Sequence, residues 1–182
     1  QFTVWDLVQN GIYGSYYIDD GTINLYQQDG LSGLNGDLVI LGGNFNVFGS
    51  EIVSLWPDYQ DASIFMTGGV INFNTGGILI HETAFEQLTT NITGGTIKTA
   101  GDFLVNVDNF QPQNLTLELN GPGDADVLIA GNNYVQDLVV YKFPPAESCK
   151  ASPDASEPDQ STSGKTELNG IVTAIGNVNV TH

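Results

Sequence analysis

The sequence predicts an all-β chain wound into a solenoid, and three observations carry that prediction. Gly43, Gly69, Gly95 and Gly121 recur at one fixed 26-residue interval, and a fixed period of this kind marks turns that bury their apolar faces only by stacking on one another. Apolar and polar residues alternate within the repeats, as in Ile71-Asn72-Phe73, Leu115 to Leu119 and Val178-Asn179-Val180. That is the period of a strand with one buried face. No stretch sustains the spacing of an amphipathic helix, and the best candidate, Thr83 to Thr90, is short and rich in threonine.

From the N-terminus, residues 1–20 form the most aromatic part of the chain, with Trp5, Tyr13, Tyr16 and Tyr17. They precede the regular phrases and are expected to cap the stack, because an open end would leave strand edges unpaired. Solenoid turns are expected over 21–182. The phrase at Gly21 stands one slightly shorter turn before Gly43. The next turns open on Gly42-Gly43-Asn44-Phe45-Asn46-Val47, Gly68-Gly69-Val70-Ile71-Asn72-Phe73 and Gly94-Gly95-Thr96-Ile97-Lys98-Thr99, then on the weaker Asn120-Gly121-Pro122. Aligned on the glycines, Phe45, Ile71 and Ile97 share one inner row, and Ile52, Ile78 and Leu104 another. Asn46 and Asn72, one turn apart, are expected to form a polar ladder.

A further phrase, Asn169-Gly170-Ile171-Val172, comes almost two intervals after Gly121. Removing about 23 residues restores the period, and insertion into one turn is how repeat proteins accept loops. The insert is the acidic stretch 143–166, whose Pro144, Pro145, Pro153 and Pro158 among serines and aspartates disfavour strand and helix alike. In total the chain reads as about six turns rising ~4.8 Å each. Asn177 to Thr181 reads as a strand in progress, so the chain is expected to continue past His182, or that end to be covered by a partner. Gln1 in place of Met fits the end left by a removed signal peptide, or a boundary set within a longer chain.

Composition narrows the partners. There are 21 acidic residues against four lysines and no arginine, a net charge of −17. Such a chain has nothing to neutralise phosphates, which argues against nucleic acid and anionic membrane surfaces. No apolar run is long enough to span a bilayer, so membrane insertion is not expected. The lone Cys149 lies in the insert and has no second cysteine to pair with in this sequence.

Three runs carry a family resemblance: Gly94-Gly95-Thr96-Ile97-Lys98, Phe110-Gln111-Pro112-Gln113-Asn114-Leu115-Thr116-Leu117-Glu118-Leu119-Asn120-Gly121, and Tyr134-Val135-Gln136-Asp137-Leu138-Val139-Val140-Tyr141-Lys142. Together they resemble one unit of the long secreted β-helical surface proteins of Bacteroidota. The match covers residues 94–142 well, 42–93 and 166–182 in part, and those before 42 poorly. The resemblance implies a right-handed parallel β-helix within a large exported protein, extracellular at the cell surface, delivered by type IX secretion and acting in adhesion. Its motifs describe rungs and corners, not a catalytic centre, and the sorting domain such proteins carry is not visible here.

The side chains that could carry chemistry are few. His81 and His182 are the only histidines and stand far apart in the chain, which argues against a nucleophilic triad or a zinc cluster; His81 reads as an outward strand position. Acidic pairs are the better candidates: Asp19 with Asp20, Asp58 with Asp61, Glu82 with Glu86, and Asp124 with Asp126. In carbohydrate-active β-helices such carboxylates cradle Ca²⁺ or act as acid and nucleophile, so Asp124 and Asp126 are the candidate calcium ligands. They also suit a simple turn after Gly121-Pro122-Gly123. A lyase needs a basic residue beside its sugar acid, which four scattered lysines do not provide. Trp56, Tyr59 and Tyr134 could stack on sugar rings, or cover corners of the solenoid. Asn91, Asn114 and Asn179 match the glycosylation acceptor pattern, which a chain rich in Asn and Thr produces by chance. The expected role is structural or adhesive, without catalysis or cofactor. Its expected partners are a surface glycan or another protein of the cell surface or secretion machinery. The alternative is a carbohydrate-binding or carbohydrate-active β-helix, marked by a groove of converging carboxylates and aromatics where a stalk would show even Asn and Thr ladders.

Overall fold

Alternating strands broken by glycine corners leave the chain one way to bury its apolar rows, which is to coil. The computed structural model describes residues 2–5, 12–13, 15–26, 31–49, 53–57, 60–122, 125–143, 166–168 and 178–181, and among them every regular element is a strand. The first turn carries β1 (Phe2–Trp5), β2 (Ile12–Tyr13) and β3 (Tyr16–Ile18), and the second β4 (Thr22–Tyr26), β5 (Leu31–Asn35) and β6 (Asp37–Ile40). The third carries β7 (Asn44–Phe48), β8 (Val53–Pro57) and β9 (Ala62–Met66), and the fourth β10 (Val70–Phe73), β11 (Ile78–His81) and β12 (Leu88–Ile92). Later turns show two strands each: β13 (Gly95–Thr99) with β14 (Phe103–Asn106), β15 (Leu115–Pro122) with β16 (Ala125–Ile129), and β17 (Asp137–Phe143) with β18 (Thr166–Leu168), before β19 (Val178–Thr181). They stack into parallel sheets of eight, seven and four strands.

The chain is a parallel β-solenoid. Four of its turns carry a strand on all three sides, where the sequence suggested about six turns in all. Residues 1–20, expected as a cap, contribute the first of the four: β1, β2 and β3 pair in register with β4, β5 and β6. β17 ends at Phe143 and β18 begins at Thr166, so the insert leaves from the first sheet and returns to the second. Residues 144–165, Cys149 among them, lie outside the described residues.

Stacked rows of side chains make the core. On the first sheet Phe45, Ile71, Ile97, Leu117 and Leu138 form one row, and Val47, Phe73, Thr99, Leu119 and Val140 the next. All are buried, and Thr99 is tolerated in an apolar row because its hydroxyl donates to the Gly76 carbonyl at 3.0 Å. The paired glycines belong to the corner before this sheet. A Cβ on Gly68 or Gly94 would stand 2.8 or 2.7 Å from a carbonyl oxygen of the turn before, so the chain can stack here only without side chains.

The 26-residue step holds in the middle of the stack, as between Asn46 and Asn72, and shortens on either side. Val70 pairs with Asn44 of the turn before and Thr96 of the turn after, a full step each way, but Gly95 pairs with Leu115, a step of only 20, the same as from Lys98 to Glu118. Gly121 therefore leaves the glycine series: it stands opposite Lys142, six positions beyond the one that Gly95 occupies. The second sheet departs by one residue as well. Ile78 pairs with Val53 and Phe103, not with Ile52 and Leu104, because the corner from the first sheet is four residues after Phe73 and three after Thr99. Phe103 is thus buried, and Leu104 points outward beside Leu79.

Past Ile92 the third side carries no strand among the described residues, and a buried amide takes over the backbone pairing. The Phe110 N–H donates to Asn133 Oδ1 at 2.8 Å, and Asn133 Nδ2 donates to the Val107 carbonyl. Asn133→Leu removes partners from a buried N–H and a buried C=O at once. We expect a loss of about 2–4 kcal/mol, read as a lowered urea midpoint with an unchanged slope.

Candidate functional site

Two outer features of the solenoid can meet a partner. The first is the outward row of the first sheet, where the buried Asn24 and the half-buried Asn46 and Asn72 lie in register. Asn46 Nδ2 donates to Asn24 Oδ1 at 2.9 Å, and Asn72 Nδ2 to Asn46 Oδ1 at 3.4 Å and to Asn74 Oδ1 at 2.9 Å. This is the polar ladder expected for Asn46 and Asn72, extended by Asn24. Its next members are Lys98 and Glu118, which form an ion pair at 2.9 Å. Beside the amides, Tyr26 and Phe48 stack with ring centroids 4.7 Å apart and planes 11° from parallel. Each ring covers a face of the other, so the pair seals the solenoid wall and does not offer both faces to a ligand.

The second feature is a cleft where a long turn sits on a short one. Across its second and third sides the fourth turn runs from Ile78 to Ile92. The fifth covers the same ground between their neighbours Phe103 and Pro112 with five residues fewer, as the Gln113 N–H bonded to the Ile92 carbonyl at 2.7 Å shows. The surplus is a loop over residues 82–87 that overhangs the fifth turn. It is tightly made. Thr83 Oγ1 accepts from the N–H groups of Phe85 and Glu86 at 3.2 and 3.0 Å, and its hydroxyl donates to the Glu86 carboxylate at 2.5 Å. The Gln87 N–H donates to the Asp61 carboxylate at 2.8 Å, and the Gln87 carbonyl accepts from the Ala62 N–H at 3.1 Å, fastening the loop to the third turn.

Under the overhang lies a cleft of about 140 Å³, lined by Glu82, Gln87, Leu88, Thr89 and Thr90 from the fourth turn and Asp108 and Asn109 from the fifth. Thr90 holds the register position of the buried Ile64, yet it is only half-buried, and its hydroxyl donates to the Asn109 carbonyl at 3.0 Å. The inner row has turned polar where the short turn uncovers it. Phe85, on the overhanging loop, is 90% exposed.

Of the residues proposed from sequence, Asp126 starts the second-sheet strand after Ala125, and its backbone N–H donates to the Asp102 carboxylate at 2.8 Å. Asp124 lies outside the described residues, and among those described no group of three or more His, Cys, Asp or Glu is placed to hold a metal ion. Trp56 belongs to β8 in the third turn, whereas Tyr134 is half-buried past β16, on the third side of the sixth, its N–H bonded to the Phe110 carbonyl at 3.2 Å. Their backbones lie on different sides and different turns of the solenoid, and Tyr59 lies outside the described residues. Asp20 caps its own corner by accepting from the Gly21 N–H at 2.6 Å. Of the pair Glu82 and Glu86, the second is committed to the Thr83 turn and the first lines the cleft. Sequence reasoning missed Gln87, Asp108 and Asn109. The signal available was the 20-residue step from Thr96-Ile97-Lys98 to Thr116-Leu117-Glu118, which marks a short turn and hence a ledge.

Among the described residues no helix is long and apolar enough to cross a membrane. Fold and outer features define a parallel β-solenoid with an asparagine ladder on one side and a polar cleft at one corner. No protein-family model, curated protein or solved structure matches this chain.

Proposed function

We propose that the chain is a structural and adhesive segment of an exported cell-surface protein and performs no chemistry of its own. The observation that supports this best is the first sheet, whose eight strands stack in one continuous parallel order. Eight strands spaced by ~4.8 Å make a rod of roughly 34 Å, with every backbone bond on this sheet directed along its axis. The Asn24–Asn46–Asn72 ladder adds side-chain bonds in the same direction. A net charge of −17 keeps such a rod soluble and repels it from anionic lipid and nucleic acid. The family resemblance supplies export and type IX secretion.

Antibody labelling of intact source cells, with deletion of the gene, tests this. Surface labelling is expected, together with weaker attachment of the deletion strain to glycan-coated supports. Labelling only after lysis, or release of reducing ends from polysaccharides by the purified chain, would overturn it.

A further inference from the structure

We propose that the ledge cleft under the 82–87 loop binds a single uncharged sugar residue, as the terminal unit of a neutral glycan. This gives the adhesive reading its ligand and rests on that reading only for its biological purpose, since binding is measured on the isolated chain.

The lining matches what a pyranose presents. Each sugar hydroxyl both donates and accepts, and its partners here do both: the amides of Gln87 and Asn109 and the hydroxyl of Thr89, with the carboxylates of Glu82 and Asp108 as acceptors. Carboxylate acceptors make the stronger, charge-assisted bonds. They come from different turns, Glu82 from the upper lip and Asp108 from the lower, so one ring between them is held at both sides. Leu88, 5% exposed, backs the cleft as part of the core.

Charge sets the class of sugar. Two carboxylates with no lysine or histidine in the lining repel uronic acids, sulfated sugars and sialic acids. A divalent cation is a poorer fit, because Ca²⁺ takes about six to eight oxygens and no third acidic residue, histidine or cysteine lines the cleft. The site is also held in shape before any ligand arrives. Thr83 and Glu86 lock the loop, the Gln87 backbone is tied to Asp61 and Ala62, and Thr90 is tied to the Asn109 carbonyl, so binding has only side chains left to order.

The test is ¹H–¹⁵N NMR of the full chain titrated with methyl glycosides of galactose, mannose and N-acetylglucosamine, with methyl glucuronide, and with CaCl₂, each to about 10 mM. At least one neutral glycoside is expected to shift amides of residues 82–90 and 108–109, while the glucuronide does not. Glu82→Gln and Asp108→Asn should each weaken that binding about tenfold, and Leu128→Ala, on the outer face of the second sheet, should leave it unchanged. The wild-type shift map decides the matter even if a variant folds poorly. The proposal falls if no neutral glycoside shifts these amides, if the shifts lie elsewhere, if the glucuronide binds equally, or if Ca²⁺ alone produces the same map. A failure here leaves the cell-surface labelling result untouched.

Discussion

Gly69→Ala lowers stability by about 3 kcal/mol or more, whereas Gly131→Ala costs only about 1–2 kcal/mol. Both glycines have left-handed backbones, with φ of +72° and +69°, so both substitutions meet the same conformational penalty. They differ in what a methyl group would touch. At Gly131 nothing lies within 4 Å, while at Gly69 the new Cβ stands 2.7 Å from the carbonyl carbon and oxygen of Gly42 and 2.8 Å from the Gly43 oxygen. Those are backbone atoms of the preceding turn, and they can retreat only if the turns part. Parting them strains the bond from the Val70 N–H to the Gly43 carbonyl, now 2.9 Å, and the rows on either side. At roughly 2–4 °C per kcal/mol for a chain of this size, the midpoints of the two variants should be separated by several degrees in thermal melts. Equal melts would mean that the glycine pairs serve their φ angles alone, and that the corners have room to spare.

This contrast also shows which parts of the structure were legible in the sequence. Where one face of a strand is polar, alternation identifies the inner row without ambiguity, as with Phe45 and Val47 around Asn46, or Ile71 and Phe73 around Asn72. Where both faces are apolar it does not. Ile78-Leu79-Ile80 and Phe103-Leu104-Val105 contain no polar residue, and which side faces inward is set by a corner that shortens from four residues to three. The outward leucines of this sheet, Leu79, Leu104 and the 47% exposed Leu128, are register neighbours. A period taken from glycines alone reads Leu104 as core.

Gly121 misled for a related reason. A 20-residue turn followed by a glycine six positions further along reproduces the 26-residue interval without any structural equivalence. Side-chain chemistry marks the true register, in which Lys98 faces Glu118 as an ion pair. The cleft depended on that same short turn. Its residues are ordinary in sequence, and only the difference in length between two stacked turns brings Glu82 and Asp108 to one place.

Ile97→Asp abolishes cooperative folding, and Leu104→Asp leaves a melt within about 4 °C of the parent. The first substitution places a carboxylate at a position 1% exposed, between Ile71 and Leu117. No lysine shares that row, and an unpaired buried charge costs several kcal/mol or more. Against a total stability of about 5–15 kcal/mol, that cost together with the lost apolar packing removes most of what holds the turns in register. Leu104 is only half-buried and has the outward Leu79 and Leu128 as neighbours. Aspartate there keeps its water and sacrifices only surface contact, a loss of about 1 kcal/mol. Circular dichroism on the two variants decides between two registers of the second sheet. The glycine-aligned register makes Leu104 core and predicts that both substitutions fail. The observed one, with Phe103 inward, predicts that only Ile97→Asp does, and that Phe103→Ala, emptying a fully buried site, costs about 3–5 kcal/mol.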